Sequence, residues 1–154
     1  MSTEGHRPDP DALLAALSDP KAKSQQGRLK IFFGAAPGVG KTFAMLEAGH
    51  RERRAGVDVV IGYVEPHQRP DTIALVNGFE TLPLKRLEHR GIALTEFDLE
   101  GALARQPKLI LIDELAHTNA PGSVHAKRWQ DVQQLIDNGI DVFSTLNVQH
   151  LESL

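Results

Sequence analysis

The chain has 154 residues, 17 Lys and Arg against 20 Asp and Glu, a net charge of −3 and no cysteine. That length predicts one domain able to bury about 70% of its unfolded surface, while the lack of cysteine excludes disulfides, thiolate metal sites and a cysteine nucleophile. A slightly acidic balance with scattered basic residues argues against a nucleic-acid partner, and no apolar run reaches the roughly 18 residues needed to cross a bilayer, so the segment reads as soluble.

Residues 1–27 read as a polar extension carrying one short helix, with Asp9 as N-cap, Pro10 at the first helical position and Leu13, Leu14 and Leu17 on one side. Residues 28–154 form the predicted domain. It begins with the apolar run Leu29-Lys30-Ile31-Phe32-Phe33, which predicts a strand feeding directly into Gly34-Ala35-Ala36-Pro37-Gly38-Val39-Gly40-Lys41-Thr42.

A loop that wraps phosphate must turn successive backbone N–H groups inward and then open a helix whose N-terminus faces the anion. Gly38 and Gly40 permit the dihedrals and the close approach, and Ala36, Pro37 and Val39 complete the backbone cradle. Lys41 is placed to reach the β and γ phosphates of a nucleoside triphosphate, and the Thr42 hydroxyl to hold the Mg²⁺ that bridges them. The strict pattern has Gly where Ala35 stands. Residues 41–55 follow as a helix with Phe43, Met45, Leu46 and Ala48 apolar; Gly56 stops it, and Arg51, Arg53 and Arg54 complement the dipole at its end.

The β-branched run at 57–64 has the character of a buried parallel strand. It exits into a polar loop where Glu65, His67 and Arg69 stand at a carboxyl strand end, in position for nucleotide contacts or for solvent. Residues 70–77 predict a short helix stopped by Gly78, and 84–97 a hairpin turned at His89-Arg90-Gly91. Asp98 caps a brief helix to Arg105 before the strand Leu109-Ile110-Leu111-Ile112-Asp113.

The pair Asp113-Glu114 ends that strand. A carboxylate at the carboxyl end of a buried strand stands where the phosphate loop also emerges, so Asp113 is placed to hold Mg²⁺, and Glu114, the tentative catalytic residue, to orient or deprotonate water. Alternation along the strand would point Glu114 away from Asp113. A helix over 127–138 then puts Trp129, Val132, Leu135 and Ile136 at core spacing, with Arg128 on a solvated face or acting as a finger on phosphate.

The last strand, 140–146, ends near Thr145, Asn147, Gln149 and His150. In many NTPases with such an acidic pair, a strand lying between the other two ends in a polar residue that senses the γ-phosphate, a role open here to Thr145 or to Asn147, the tentative nucleotide contact; N-capping of a helix near Val148 explains the same residues equally well. His117, His125 and His150 lack carboxylates at ligand spacing, so they read as solvated loop histidines in preference to a zinc site. The strand and helix alternation predicts an α/β fold, a P-loop NTPase-like three-layer sandwich with a mainly parallel sheet.

The strings Gly27-Arg-Leu-Lys-Ile-Phe-Phe-Gly-Ala-Ala-Pro-Gly-Val-Gly-Lys-Thr42, Gly62-Tyr-Val-Glu-Pro-His67, Asp113-Glu-Leu-Ala-His-Thr-Asn-Ala-Pro-Gly-Ser123, Lys127-Arg-Trp-Gln-Asp-Val132 and Thr145-Leu-Asn-Val-Gln-His-Leu-Glu-Ser153 resemble the N-terminal cytoplasmic domain of KdpD-type potassium sensor histidine kinases. The resemblance runs from about Arg7 to the last residue. It implies a bacterial inner-membrane two-component sensor that responds to potassium limitation or osmotic stress and phosphorylates a response regulator controlling a potassium-uptake ATPase. It also implies that the membrane spans, phosphoacceptor histidine and catalytic module lie elsewhere, that a closing element follows Leu154, and that downstream domains of the same kinase and cytosolic regulatory proteins are partners.

Three functions are compatible with these residues. The first is a regulatory ATP sensor biasing kinase against phosphatase output, the second an ATPase or small-molecule kinase using Glu114 as base, and the third a docking module with a vestigial nucleotide site.

Overall fold

The computed structural model describes residues 25–34, 40–65 and 69–147. The expected helix around Asp9, the loop centre 35–39, His67 and residues 148–154 lie outside them. In chain order the elements are β1 (Leu29–Gly34), α1 (Lys41–Arg54), β2 (Val59–Tyr63), α2 (Pro70–Val76), β3 (Glu80–Thr81), β4 (Lys85–His89), β5 (Ile92–Glu96), α3 (Leu99–Arg105), β6 (Leu109–Ile112), α4 (Arg128–Asp137) and β7 (Asp141–Asn147).

Five strands form one sheet in the order β1-β7-β6-β2-β3, with every neighbouring pair parallel. All carboxyl ends therefore share one edge. Strands buried on both faces read as continuous apolar runs, and β6 is the clearest case: Leu109 and Leu111 face a cluster with Met45 and Leu46 of α1 and Phe79, while Ile110 and Ile112 face Ala102 of α3 and Val132 and Leu135 of α4. The result is the expected three-layer α/β sandwich.

The hairpin β4–β5 is antiparallel and pairs Lys85 with Glu96 through His89 with Ile92, outside the main sheet. Arg90 and Gly91 both take positive φ, as a two-residue hairpin turn of matching twist requires. Asp98 caps α3 by accepting from the Gly101 N–H at 3.1 Å. Strand β3 has no apolar signal, because both its residues are exposed. Arg105 anchors this region with its guanidinium, forking to Asp58 at 2.8 Å and to Glu80 at 2.9–3.0 Å.

Two expectations for α4 are overturned. Trp129 is 38% exposed, whereas Arg128 is fully buried and faces neither solvent nor open space for a finger. The buried stripe is Arg128, Asp131, Val132 and Leu135, and a helix turns about 100° per residue, so Trp129 stands one step off that stripe. At the other end of the domain, Gly27 donates its N–H to the Ile136 carbonyl at 2.9 Å, and a Cβ there would overlap the Ile140 carbonyl oxygen.

Candidate functional site

The carboxyl ends of β1, β7, β6 and β2 bring together Gly34, Asn147, Asp113 and Glu65, and α1 opens beside them at Lys41. Gly40 caps the helix with φ 73°, a left-handed conformation that glycine adopts without a Cβ penalty. No acidic residue occupies the first turn, while Arg51, Arg53 and Arg54 fill the last. The helix N-terminus thus keeps its partial positive charge.

Lys41 is buried, and its stem lies against Gly34: an ideal Cβ on that glycine would stand 2.5 Å from Lys41 Cδ and Cγ. A side chain there would push the lysine stem aside. Asn147, the register partner of Gly34 on β7, is also buried, and its Oδ1 has no hydrogen-bond partner among the described residues. Buried side-chain carbonyls are usually hydrogen-bonded, so the Asn147 Oδ1 is an exception at the end of β7.

Asp113 is the hub. The Thr42 hydroxyl lies 3.2 and 3.0 Å from its two carboxylate oxygens, the Glu65 N–H donates to Oδ2 at 3.1 Å, and the Thr145 hydroxyl donates to Oδ1. The Asp113 backbone N–H donates to the Tyr63 carbonyl at 2.8 Å. Thr42, Asp113 and Thr145 are all at most 5% exposed, so this hydroxyl–carboxylate–hydroxyl set is shielded from solvent and consists of oxygens, the ligand type that hard cations prefer.

Glu114 departs from the expected strand alternation because it lies past the end of β6 with φ 63°. This conformation costs a non-glycine residue on the order of 1 kcal/mol. Two bonds to Thr145 hold it: the Glu114 N–H donates to Thr145 Oγ1 at 2.9 Å and the Leu115 N–H to the Thr145 carbonyl at 2.9 Å. The half-buried Glu114 carboxylate is free of hydrogen bonds among the described residues.

Residues 25–154 match the family described as "KdpD: Osmosensitive K+ channel His kinase sensor domain". The chain belongs to the KdpD family. It is 58% identical over its whole length to the sensor protein KdpD of Escherichia coli and 51% identical to that of Clostridium acetobutylicum, covering 17% of each. To the sensor protein KdpD of Mycobacterium tuberculosis it is 53% identical over 131 residues, 85% of this chain and 15% of that protein. The chain thus spans about a sixth of the length of these KdpD relatives.

Of the KdpD strings, Gly34, Lys41, Thr42, Asp113, Glu114, Thr145 and Asn147 stand at this edge of the sheet, Gly27 and Arg28 precede β1 at its opposite end, and Ala36, Pro37, Gly38 and Val39, like residues 66–67 and 148–153, lie outside the described residues. Strand β7 lies between β1 and β6, the position required of a strand whose end senses phosphate. Arg69 sits apart, exposed and 3.9 Å from Asp71.

Sequence reasoning missed a second polar cluster behind Asp113. Arg128 Nη1 donates to the Asp113 carbonyl at 2.9 Å and Nη2 to Glu96 Oε1 at 3.2 Å, with the guanidinium 4.2 Å from the Tyr63 ring centroid. Burial pulls this guanidinium below its usual range and pushes the Tyr63 hydroxyl up to about 12, the nearby Glu65 and Glu114 charges adding to the latter.

His117 is not a solvated histidine: its Nε2 donates to Glu96, 3.0 Å from both oxygens, and the Ala120 N–H donates to Glu96 Oε2 at 2.7 Å. His125 similarly meets Gln134 Oε1 at 2.9 Å. Among the described residues no cluster of His, Asp and Glu is arranged to hold a metal by itself, and no helix is long and apolar enough to cross a membrane.

Proposed function

We propose that this chain is the ATP-binding regulatory unit of a longer, membrane-bound sensor histidine kinase responding to potassium limitation or osmotic stress, with nucleotide occupancy biasing kinase against phosphatase output. The observation that carries the reading is the buried pair Thr42–Asp113, which joins the start of α1 to the end of β6. ATP and Mg²⁺ suit the residues present. Lys41 supplies a point charge for the β and γ phosphates, Thr42 and Asp113 supply oxygen donors for Mg²⁺, and the orphaned Asn147 Oδ1 supplies a buried acceptor. Bound Mg²⁺ would screen the phosphate charge.

A ligand shifts an equilibrium only through different affinities for its two states. Thr42 and Asp113 provide that difference, since their mutual hydrogen bonds must loosen if a cation takes their oxygens. The relatives are sensor proteins, which supports an output that passes through downstream domains of the same kinase to a response regulator; cytosolic regulatory proteins are further partners on this reading.

Hydrolysis is the second reading, favoured by one observation: the Glu114 carboxylate is unengaged among the described residues, as a base that activates water must be. Titration of ATP with and without Mg²⁺, beside multiple-turnover hydrolysis, separates the two for wild type, Lys41→Ala and Glu114→Gln. The regulatory reading expects binding lost in Lys41→Ala, retained in Glu114→Gln, and slow turnover throughout. Turnover on the order of 10 per second, abolished in Glu114→Gln, would instead make the domain a working ATPase. Wild-type protein that binds no Mg²⁺-ATP would leave a docking module.

A further inference from the structure

We infer that Arg128 is the positioning residue for the acidic strand end, and that through Glu96 it couples the hairpin β4–β5 to the site at Asp113–Glu114. The coupling to nucleotide rests on the ATP reading above; the positioning does not.

Asp113 is held from two sides. Its carboxylate faces Thr42 and Thr145, and its carbonyl receives the Arg128 guanidinium from the opposite layer. The next residue is the left-handed Glu114, so the orientation of the Asp113 carbonyl sets where that strained turn begins. Arg128 stacks on Tyr63, whose own carbonyl accepts the Asp113 N–H, so one guanidinium fixes the ends of β2 and β6 together.

The other arm of the guanidinium reaches Glu96, the last residue of β5. Glu96 also receives His117 Nε2 and the Ala120 N–H. Hairpin, the 115–127 loop, α4 and the site therefore meet at one buried ion pair. The hairpin itself stands outside the main sheet and presents Ile92 at 61% exposure, so it is open to contact by another domain or protein.

The arrangement is not optimised for stability alone. Arg128 Nε is buried without a hydrogen-bond partner among the described residues, and desolvated ion pairs are commonly no better than apolar packing of the same volume. A buried pair that is costly to keep and that touches the backbone of Asp113, the residue before a left-handed turn, is suited to setting geometry.

Amide hydrogen exchange of the chain tests both halves. Without nucleotide, Glu96→Gln preserves shape and an acceptor, and Arg128→Lys preserves charge but not the fork; thermal unfolding establishes that each is folded. Both variants are expected to raise exchange at Glu114 and Leu115 roughly tenfold while Leu109 to Ile112 stay protected, the signature of a local opening. Unchanged exchange at Glu114 and Leu115, or a uniform rise across β6, would overturn the positioning role.

With saturating Mg²⁺-ATP, wild type is expected to change exchange in β5 and in the 115–127 loop. Glu96→Gln is expected to bind ATP and lose that response. Wild type that binds Mg²⁺-ATP with no change there would overturn the coupling. Wild type that binds no Mg²⁺-ATP would remove the ATP reading and the coupling with it, leaving the first arm to decide the positioning role.

Discussion

Thr42 and Asp113, 71 residues apart in sequence, share a buried hydroxyl–carboxylate contact with both Asp113 oxygens within 3.2 Å of Thr42 Oγ1. The first turn of α1 and the end of β6 are thereby one structural unit before any ligand arrives. Replacing Asp113 by Asn keeps the shape and one acceptor but removes the charge a hard cation needs. Asp113→Asn is expected to lower the Mg²⁺-dependent part of ATP affinity about 10- to 100-fold and to leave the Mg²⁺-free affinity nearly unchanged, as calorimetric titration in magnesium and in EDTA would read.

Thr145 serves three bonds at the same place, donating to Asp113 and accepting from Glu114 and Leu115. Thr145→Val keeps the volume and removes the hydroxyl, leaving the Glu114 N–H and one Asp113 oxygen without that partner. Urea unfolding is expected to show a loss of about 1–3 kcal/mol. Thr145→Ser, which restores the hydroxyl, is expected to recover most of it.

Asp131 gives a pH-dependent test. Burial raises its carboxyl above the ordinary value, opposed by the hydrogen bond from Asn119 and by the positive charges of His125 and Arg128, with Glu96 adding to the rise. A raised acid binds its proton more tightly in the folded state, so its ionisation costs stability. That cost is absent below the unfolded value near 3.9 and is reached in full once the pH exceeds the raised folded value. Asp131→Asn retains an acceptor for Asn119 Nδ2, which lies 3.0 Å from Asp131 Oδ2. The variant is expected to match wild type well below that value, at about pH 3, and to be the more stable of the two at neutral pH, read from melting at both.

Gly62 lies in β2 where the register with β6 shifts, and a Cβ there would meet Phe97 Cε1 at 2.7 Å and Ile110 Cδ1 at 2.9 Å. Both neighbours are buried, so neither has free room to move. Gly62→Ala is expected to cost about 1–3 kcal/mol by overpacking. A melting temperature at or above that of wild type would contradict this packing.

Long apolar runs made most of the fold legible in the sequence: Leu109 to Ile112 could only be a strand buried on both faces, and Gly56, Gly91 and Gly139 mark turns they do occupy with positive φ. The meeting of Thr42 with Asp113 was legible because a glycine-rich loop after one strand and an acidic residue ending another emerge at the same edge of a parallel sheet. Arg128 was not, since helical periodicity counts a charged residue as outward and carries no information about the partners, Glu96 and the Asp113 carbonyl, that make its burial tolerable. Trp129 was misplaced by the same rule in reverse. The left-handed turn at Glu114 had no local signal, because bonds to Thr145, a residue 31 positions later, impose it.

Strand order carries a consequence for synthesis. Among the described residues β1 pairs only with β7, the last strand of the series, which also supplies Thr145 and Asn147. As the chain leaves the ribosome, the strand leading into the glycine-rich loop has no sheet neighbour until residues 141–147 emerge more than 100 positions later, and such distant pairing is slow to form. The pairing of β1 and the bonds of Thr145 to Asp113, Glu114 and Leu115 are therefore assembled late and together, and a nascent chain shorter than this lacks that edge of the sheet.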